Sequence, residues 1–289
     1  MNLPNFILIG VQKAGTTSLY DWIAQHPDVY GPKGMKDFPF FCNDEYYKNG
    51  LKWFSKFFRD HHGEKIIFHG YVNHIYNNMS AQRIYDYKKD IKLLLILRNP
   101  IERAYSAFWY MRKIGIETLK TFEEAIDIED KRKSGNYRER NDLTYIDHGF
   151  YYKQLINFYK FFSKSQIFIA FFEDIKENRE NLIKKIYNFL EVDENFVPLF
   201  NVENPSGVPR IGLIQRILSK KIAPPYIKDL IPLDKRILIK DFLMNLNVKK
   251  VNYSPIKLET KRNLINTYRD EILRLEDLLG IDLSGWLEE

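Results

Sequence analysis

The amino-acid sequence predicts an α/β protein: a central, mostly parallel β-sheet flanked by helices, with a helical C-terminal part. Three observations carry this. Strand-length apolar runs alternate with amphipathic helix patterns through the first half of the chain. Those runs are apolar at successive positions, the mark of strands covered on both faces, as parallel strands in α/β proteins are. After about residue 200 the strand signal fades into helical spacing. The 289 residues are enough for a sizeable core, and 45% hydrophobic with 15% aromatic residues excludes global disorder.

Phe6 to Val11 is the first strand, followed by a helical pattern near 15–26. Lys65 to Tyr71 is the second strand and Lys92 to Leu97 the third, with helices near 80–90 and 100–113 between and after them. A helix over 121–132 opens on Thr121 and Glu124 in capping-box spacing. A helix near 150–162 leads into the fourth strand, Gln166 to Phe172, and Leu182, Ile183, Ile186, Phe189 and Leu190 form the inner stripe of the helix after it. The β-α-β order implies right-handed crossovers within one sheet. Asn204 to Pro209 reads as a loop from its Pro, Gly and Ser content. The last helix is predicted to start at Ser254-Pro255 and to bury Leu264, Tyr268, Ile272, Leu275 and Leu279. The charge-rich Lys131 to Asn141 stretch reads as a mobile surface loop. The whole chain, 1–289, is expected to form a single domain, its helical portion beginning at about 211.

Forty-four Lys and Arg against 38 Asp and Glu give a net charge of +6, which favours an anionic ligand. The two signs are interspersed, which argues against a nucleic-acid-binding face. A single cysteine, Cys42, excludes an intramolecular disulfide framework and a multi-cysteine zinc cage. No apolar run approaches the ~18 residues of a membrane span, and the N-terminal run lacks a basic flank, so the expected location is cytoplasmic with no membrane partner. Oligomeric state is not readable from the sequence.

The most informative segment is Gly10-Val11-Gln12-Lys13-Ala14-Gly15-Thr16-Thr17-Ser18, directly after a strand and before a helix. Backbone N–H groups at a helix N-terminus bind an anion, and glycine permits close backbone approach. The Gly10 to Gly15 spacing matches a nucleotide-binding P-loop, which makes the predicted fold a P-loop-like three-layer one. A nucleoside triphosphatase, however, carries Lys immediately after the second glycine, where this chain has Thr16. The lysine is at Lys13, within reach of the oxygen bridging a phosphate and a transferred group. The third strand ends in Leu97-Arg98, where a triphosphatase has an aspartate for Mg²⁺. The loop reads as built for a phosphate ester without a metal. Arg98, at the end of a buried strand, can grip a second phosphate with its planar fork, and Ser106 lies two turns into the following helix.

Together these segments resemble the 3′-phosphoadenosine 5′-phosphosulfate (PAPS)-dependent sulfotransferases. Gln12 to Leu19 is similar to their 5′-phosphosulfate loop, and Leu97-Arg98-Asn99-Pro100 through Ser106 to their 3′-phosphate motif. The resemblance continues through Gly149-Phe150-Tyr151 and Phe172-Glu173-Asp174, and weakens beyond residue 211. It implies that Gln12, Lys13, Ala14, Gly15, Thr16, Thr17 and Ser18 bind the 5′ end of the donor. Arg98 and Ser106 then hold the 3′-phosphate, joined by Arg210 from a late loop, Pro205-Ser206-Gly207-Val208-Pro209-Arg210. PAPS is then the co-substrate and adenosine 3′,5′-bisphosphate (PAP) the product, with no metal.

Two residues compete for the role of general base. Lys36-Asp37-Phe38-Pro39-Phe40-Phe41 resembles the Lys-Glu-x-His-Phe-Phe segment of the carbohydrate enzymes, with Asp37 one methylene shorter than the glutamate that is their base. Gly70-Tyr71-Val72-Asn73-His74 resembles segments with a lysine where Val72 stands. In the cytosolic small-molecule enzymes a histidine corresponding to His74 is the base. An imidazole with a pKa near ~6.5 accepts a proton at neutral pH, and His74 is slightly preferred. The implied reaction is in-line sulfuryl transfer to a hydroxyl or amine of a small-molecule or carbohydrate acceptor. A P-loop kinase or ATPase acting on a small molecule is the alternative, opposed by Thr16 and Arg98.

Overall fold

The computed structural model describes residues 1–32, 36–200, 208–209, 248–249 and 253–289. Five strands, β1 (Phe6–Gly10), β2 (Val29–Tyr30), β3 (Ile66–Gly70), β4 (Lys92–Leu97) and β5 (Ile167–Phe171), form one sheet in the order β2-β3-β1-β4-β5. Every pairing in it is parallel. All residues of β1 and β3 are buried, as continuous apolar runs require when both faces are covered. The helices are α1 (Thr16–Ile23), α2 (Asp44–Tyr47), α3 (Gly50–Phe54), α4 (Ser80–Tyr87), α5 (Pro100–Lys113) and α6 (Phe122–Asp127). They continue with α7 (Glu129–Lys133), α8 (Tyr137–Asp142), α9 (Tyr151–Tyr159), α10 (Phe172–Glu177), α11 (Arg179–Leu190) and α12 (Leu258–Leu279). Among the described residues no helix is long and apolar enough to cross a membrane.

The chain divides into two compact units. The first comprises Met1–Arg98 and Lys153–Glu203 and contains the sheet. Its core is a stack of rings, Phe6 on Phe68 at 4.6 Å and Phe68 on Tyr20 at 4.4 Å, which ties β1 and β3 to α1. Tyr20 Oη donates to the Phe68 carbonyl, and Tyr187 Oη of α11 donates to the Trp22 carbonyl of α1. The β1–β4 register shifts between Leu8 and Gly10, a bulge that re-aims the chain as it leaves the sheet.

The second unit comprises Asn99–Tyr152 and Asn204–Glu289. Its organising element is a buried polar network. The Glu129 carboxylate accepts from the N–H groups of Tyr145, Ile146 and Asp147, and Glu117 is ion-paired with Arg132 at 2.8 Å. Arg103, 1% exposed, donates to the Tyr145 carbonyl, and Tyr268 of α12 donates to the Ile146 carbonyl. This unit also holds a short antiparallel ladder of β6 (Val208–Pro209) with β7 (Val248–Lys249).

Several elements differ from expectation. The 121–132 helix is two helices, α6 and α7, broken at Ile128, although the Thr121/Glu124 capping box forms. Lys131 to Asn141 is not an irregular loop: it closes α7 and enters α8, where Asn136 and Glu139 make a second capping box. The last helix begins at Leu258 instead of following Ser254. Tyr105 of α5 donates to the Ser254 carbonyl and Trp109 stacks on Tyr253, so this segment is held against α5.

Candidate active site

The carboxyl ends of β3, β1 and β4 lie side by side, and in an open parallel sheet ligands bind at this end, where the connections diverge. The connection from β1 leads toward β2 and β3, that from β4 toward β5, so the divergence lies between β1 and β4. The loop from Gly10 to Gly15 starts there.

Its geometry is set by glycine. A Cβ on Gly10 would stand 2.5 Å from Ile75 Cγ2, and one on Gly15 2.9 Å from Ile175 Cδ1. Gly15 also has φ +77° and serves as the N-cap of α1, contributing no side-chain hydrogen bond. The first turn of α1 therefore offers its N–H groups, with the positive end of the helix dipole, to an anion instead of to a cap. Thr16 and Ser18 are buried, whereas Gln12, Lys13 and Thr17 are half-buried.

Arg98 joins the two motifs. Its Nη1 donates to the Lys13 carbonyl at 3.0 Å, and its guanidinium lies 4.4 Å from the centre of the Phe172 ring, which packs beside Gly15. Residues separated by 85 positions thus meet at the β1/β4 divergence. Lys13 has φ +70° and Asp37 φ +67°. They are two of the three non-glycine residues with positive φ among the described residues. Backbone strain of this kind costs about 1–2 kcal/mol per residue and gathers at functional sites.

Of the two candidate bases, Asp37 stands at this edge. Its N–H donates to the Gly70 carbonyl at 2.7 Å, pinning it to the end of β3, and its side chain is 52% exposed. Its neighbour Lys36 donates to Thr17 Oγ1 at 2.8 Å. In the sequence Lys36 stands only as the first residue of the Lys36 to Phe41 segment, and nothing in the spacing signals its contact with the loop.

His74 is inside. It is 0% exposed, packed against Phe41, Tyr71 and His69, with Nδ1 3.0 Å from Cys42 Sγ. Burial, and then the neighbouring His69, push its pKa well below the ordinary imidazole value. The ring preferred from the sequence is thus fully enclosed in this structure, whereas Asp37 is the candidate base that solvent reaches. Cys42 is held as a thiol, burial pushing its pKa up to about 12. Ser106 is half-buried on α5 of the second unit. Ser206, Gly207 and Arg210 lie outside the described residues. Among the described residues no group of three or more His, Cys, Asp or Glu side chains is arranged to hold a metal ion.

A family model described as a sulfotransferase domain matches residues 3–211. The bifunctional heparan sulfate N-deacetylase/N-sulfotransferase 4 of Mus musculus is 25% identical over 303 residues, covering 100% of this chain and 31% of its own. The heparan sulfate glucosamine 3-O-sulfotransferase 5 of Homo sapiens is 35% identical over 106 residues, 37% of this chain and 30% of its own. A membrane-associated sulfotransferase of Dictyostelium discoideum, kil1, is 35% identical over 111 residues, 37% of this chain and 23% of its own. The chain thus spans roughly a quarter to a third of the length of these curated relatives. A crystal structure of a sulfotransferase from Alicyclobacillus acidocaldarius superposes with a TM-score of 0.75 at 23% identity, covering 100% of both chains, and so shares the fold. With the family model spanning most of its length, including the five strands of the sheet, the Gly10 to Gly15 loop and Arg98, this chain belongs to the sulfotransferase domain family.

Proposed function

We propose that this chain moves a sulfuryl group from PAPS to a hydroxyl or amine of a small-molecule or carbohydrate acceptor, leaving PAP, and that residues 1–289 act as one catalytic domain. The observation that carries the proposal is the 3.0 Å bond from Arg98 to the Lys13 carbonyl, which brings the two phosphate motifs to one edge of the sheet. The N–H groups at the start of α1 and the loop Gln12 to Ser18 take the 5′-phosphate. Arg98 supplies a fork for the 3′-phosphate, and Ser106 and Arg210 keep the role that the motif resemblance gives them. The absence of Lys at position 16 and of an aspartate after β4 weighs against the kinase or ATPase reading.

In the reaction Asp37 accepts the acceptor proton as the new bond to sulfur forms. The bond from sulfur to the bridging oxygen breaks, and its electron pair stays on the 5′-phosphate, where Lys13 neutralises the growing charge. The heparan sulfate enzymes among the relatives support a carbohydrate acceptor. So do the half-buried rings of Phe38, which follows Asp37, and of Tyr46 and Trp53, all within 6.0 Å of one another, because aromatic faces suit the C–H faces of a sugar.

Calorimetric titration with PAP beside 5′-AMP tests the donor assignment. PAP is expected to bind about 10–100-fold tighter, with the preference lost in Arg98→Ala, since a hydrogen-bonded charge pair is worth about 1.5–3 kcal/mol. Equal affinity for the two nucleotides overturns the 3′-phosphate site.

A further inference from the structure

A cation reaches the phosphate loop from outside it. Lys36 lies beyond α1 and the edge strand β2, yet its side chain is only 11% exposed. Its Nζ donates to Thr17 Oγ1 at 2.8 Å and stands 3.3 Å from Asp37 Oδ2. The ammonium therefore lies between the first turn of α1 and the carboxylate proposed as base. An in-line displacement puts three centres in a row: the acceptor atom beside its base, the transferred sulfur, and the leaving oxygen beside the phosphate loop. Lys36 touches both the loop and the proposed base, the two ends of such a row.

The backbone is arranged to keep it there. Asp37 holds a left-handed conformation that a non-glycine residue adopts only at a cost, locked by its bond to the Gly70 carbonyl. This fixes Lys36 one residue earlier. Position 72, just past β3, also borders the loop, since the Val72 carbonyl stands 3.2 Å from where a Gly10 Cβ would be. The side chain there is apolar, so the end of β3 brings no charge at that place.

We propose that Lys36 binds the sulfuryl oxygens of the donor, as a second cation beside Lys13, and holds Asp37 toward the acceptor. Lys36 exchanges no proton in the step; it orients the sulfuryl group and the carboxylate. The inference rests on the sulfotransferase reading and on Asp37 as base.

The test compares PAPS with PAP, which differ by the sulfuryl group alone. In Lys36→Met, which keeps the length of the side chain without its charge, PAPS affinity measured by competition calorimetry is expected to fall about tenfold or more. PAP affinity is expected to stay within threefold, and Lys36→Arg to retain most of the discrimination. Adding Val72→Lys to Lys36→Met is expected to restore part of it, because position 72 borders the same loop. An unchanged PAPS/PAP ratio in Lys36→Met, or an equal loss for both nucleotides, overturns the proposal in favour of a structural tie to Thr17. A wild-type protein that binds neither nucleotide defeats the sulfotransferase reading instead, a distinguishable result.

Discussion

At the N-terminus of α1 and at those of α6 and α8, one backbone problem is solved in opposite ways. Every helix begins with N–H groups that lack a partner inside it. In the second unit Thr121 with Glu124, and Asn136 with Glu139, close those groups off with reciprocal side-chain bonds. Glu129 likewise spends its whole carboxylate on three backbone N–H groups. In the first unit α1 starts on Gly15, with no side-chain cap and no acidic residue in its first turn. At α6 and α8 side chains close the first-turn N–H groups, whereas at α1 no side chain does, as the proposed anion site requires. The strained φ values of Lys13 and Asp37 belong to the open region.

The largest expected effect breaks the open region alone. Lys13→Gly removes the cation from the leaving oxygen, and transfer from PAPS to an unsulfated heparan-type oligosaccharide is expected to slow by about 10²–10³-fold, the usual consequence of losing one stabilising donor in an active site. Glycine adopts φ +70° freely, so chemical denaturation is expected to show stability unchanged or raised by about 1 kcal/mol. A variant that is both slow and unstable would place Lys13 among the architectural groups and erase the contrast.

The converse variant is Glu129→Gln. The carboxylate is 3% exposed; burial raises its pKa, and the three N–H bonds pull the other way. An amide keeps one acceptor oxygen and turns an N–H₂ toward backbone donors, so a loss of about 2–3 kcal/mol in unfolding free energy is expected. PAP affinity of the folded protein should not change. Loss of PAP binding with stability intact would show that the second unit's network carries function.

Much of this division was legible in the sequence. Lys92 to Leu97 emerges as β4 with the predicted bounds, because the five successive apolar residues after Lys92 admit few alternatives to a doubly covered strand. The two-residue β2 was missed, being shorter than any periodic pattern and set against Gly31 and Pro32. That the Gly10 to Gly15 loop joins β1 to α1 and that Arg98 directly follows β4 was readable, because that placement is carried by backbone and by short spacing. Lys36 on Thr17 was not, since a contact across 19 residues depends on the turn that Asp37 makes at the end of β3. Nor was the enclosure of His74, which follows from packing by Phe41, Tyr71 and His69 that no local pattern encodes.

That enclosure supplies the smallest expected effect and the finest test of the contrast, because histidine is the residue on which the two roles were easiest to confuse. Burial pushes His69 down to about 3, and burial followed by the proximity of His69 holds His74 far below its ordinary value. Both rings are therefore neutral in the folded protein at a pH where the unfolded chain takes up protons, below about 6.5. A group depressed in this direction contributes stability that is complete above pH ~6.5 and is lost as the pH falls from there toward 3. Each such ring steepens the loss by at most ~1.4 kcal/mol per pH unit, so His69→Phe is expected to flatten the pH dependence of the denaturation midpoint between about 6.5 and 5. His74→Phe, which keeps a ring against Phe41 and Tyr71, is expected to flatten the same slope while leaving turnover within a few-fold. A hundredfold fall in turnover with the acid slope unaltered would return the imidazole to the reacting centre and remove Asp37 from it.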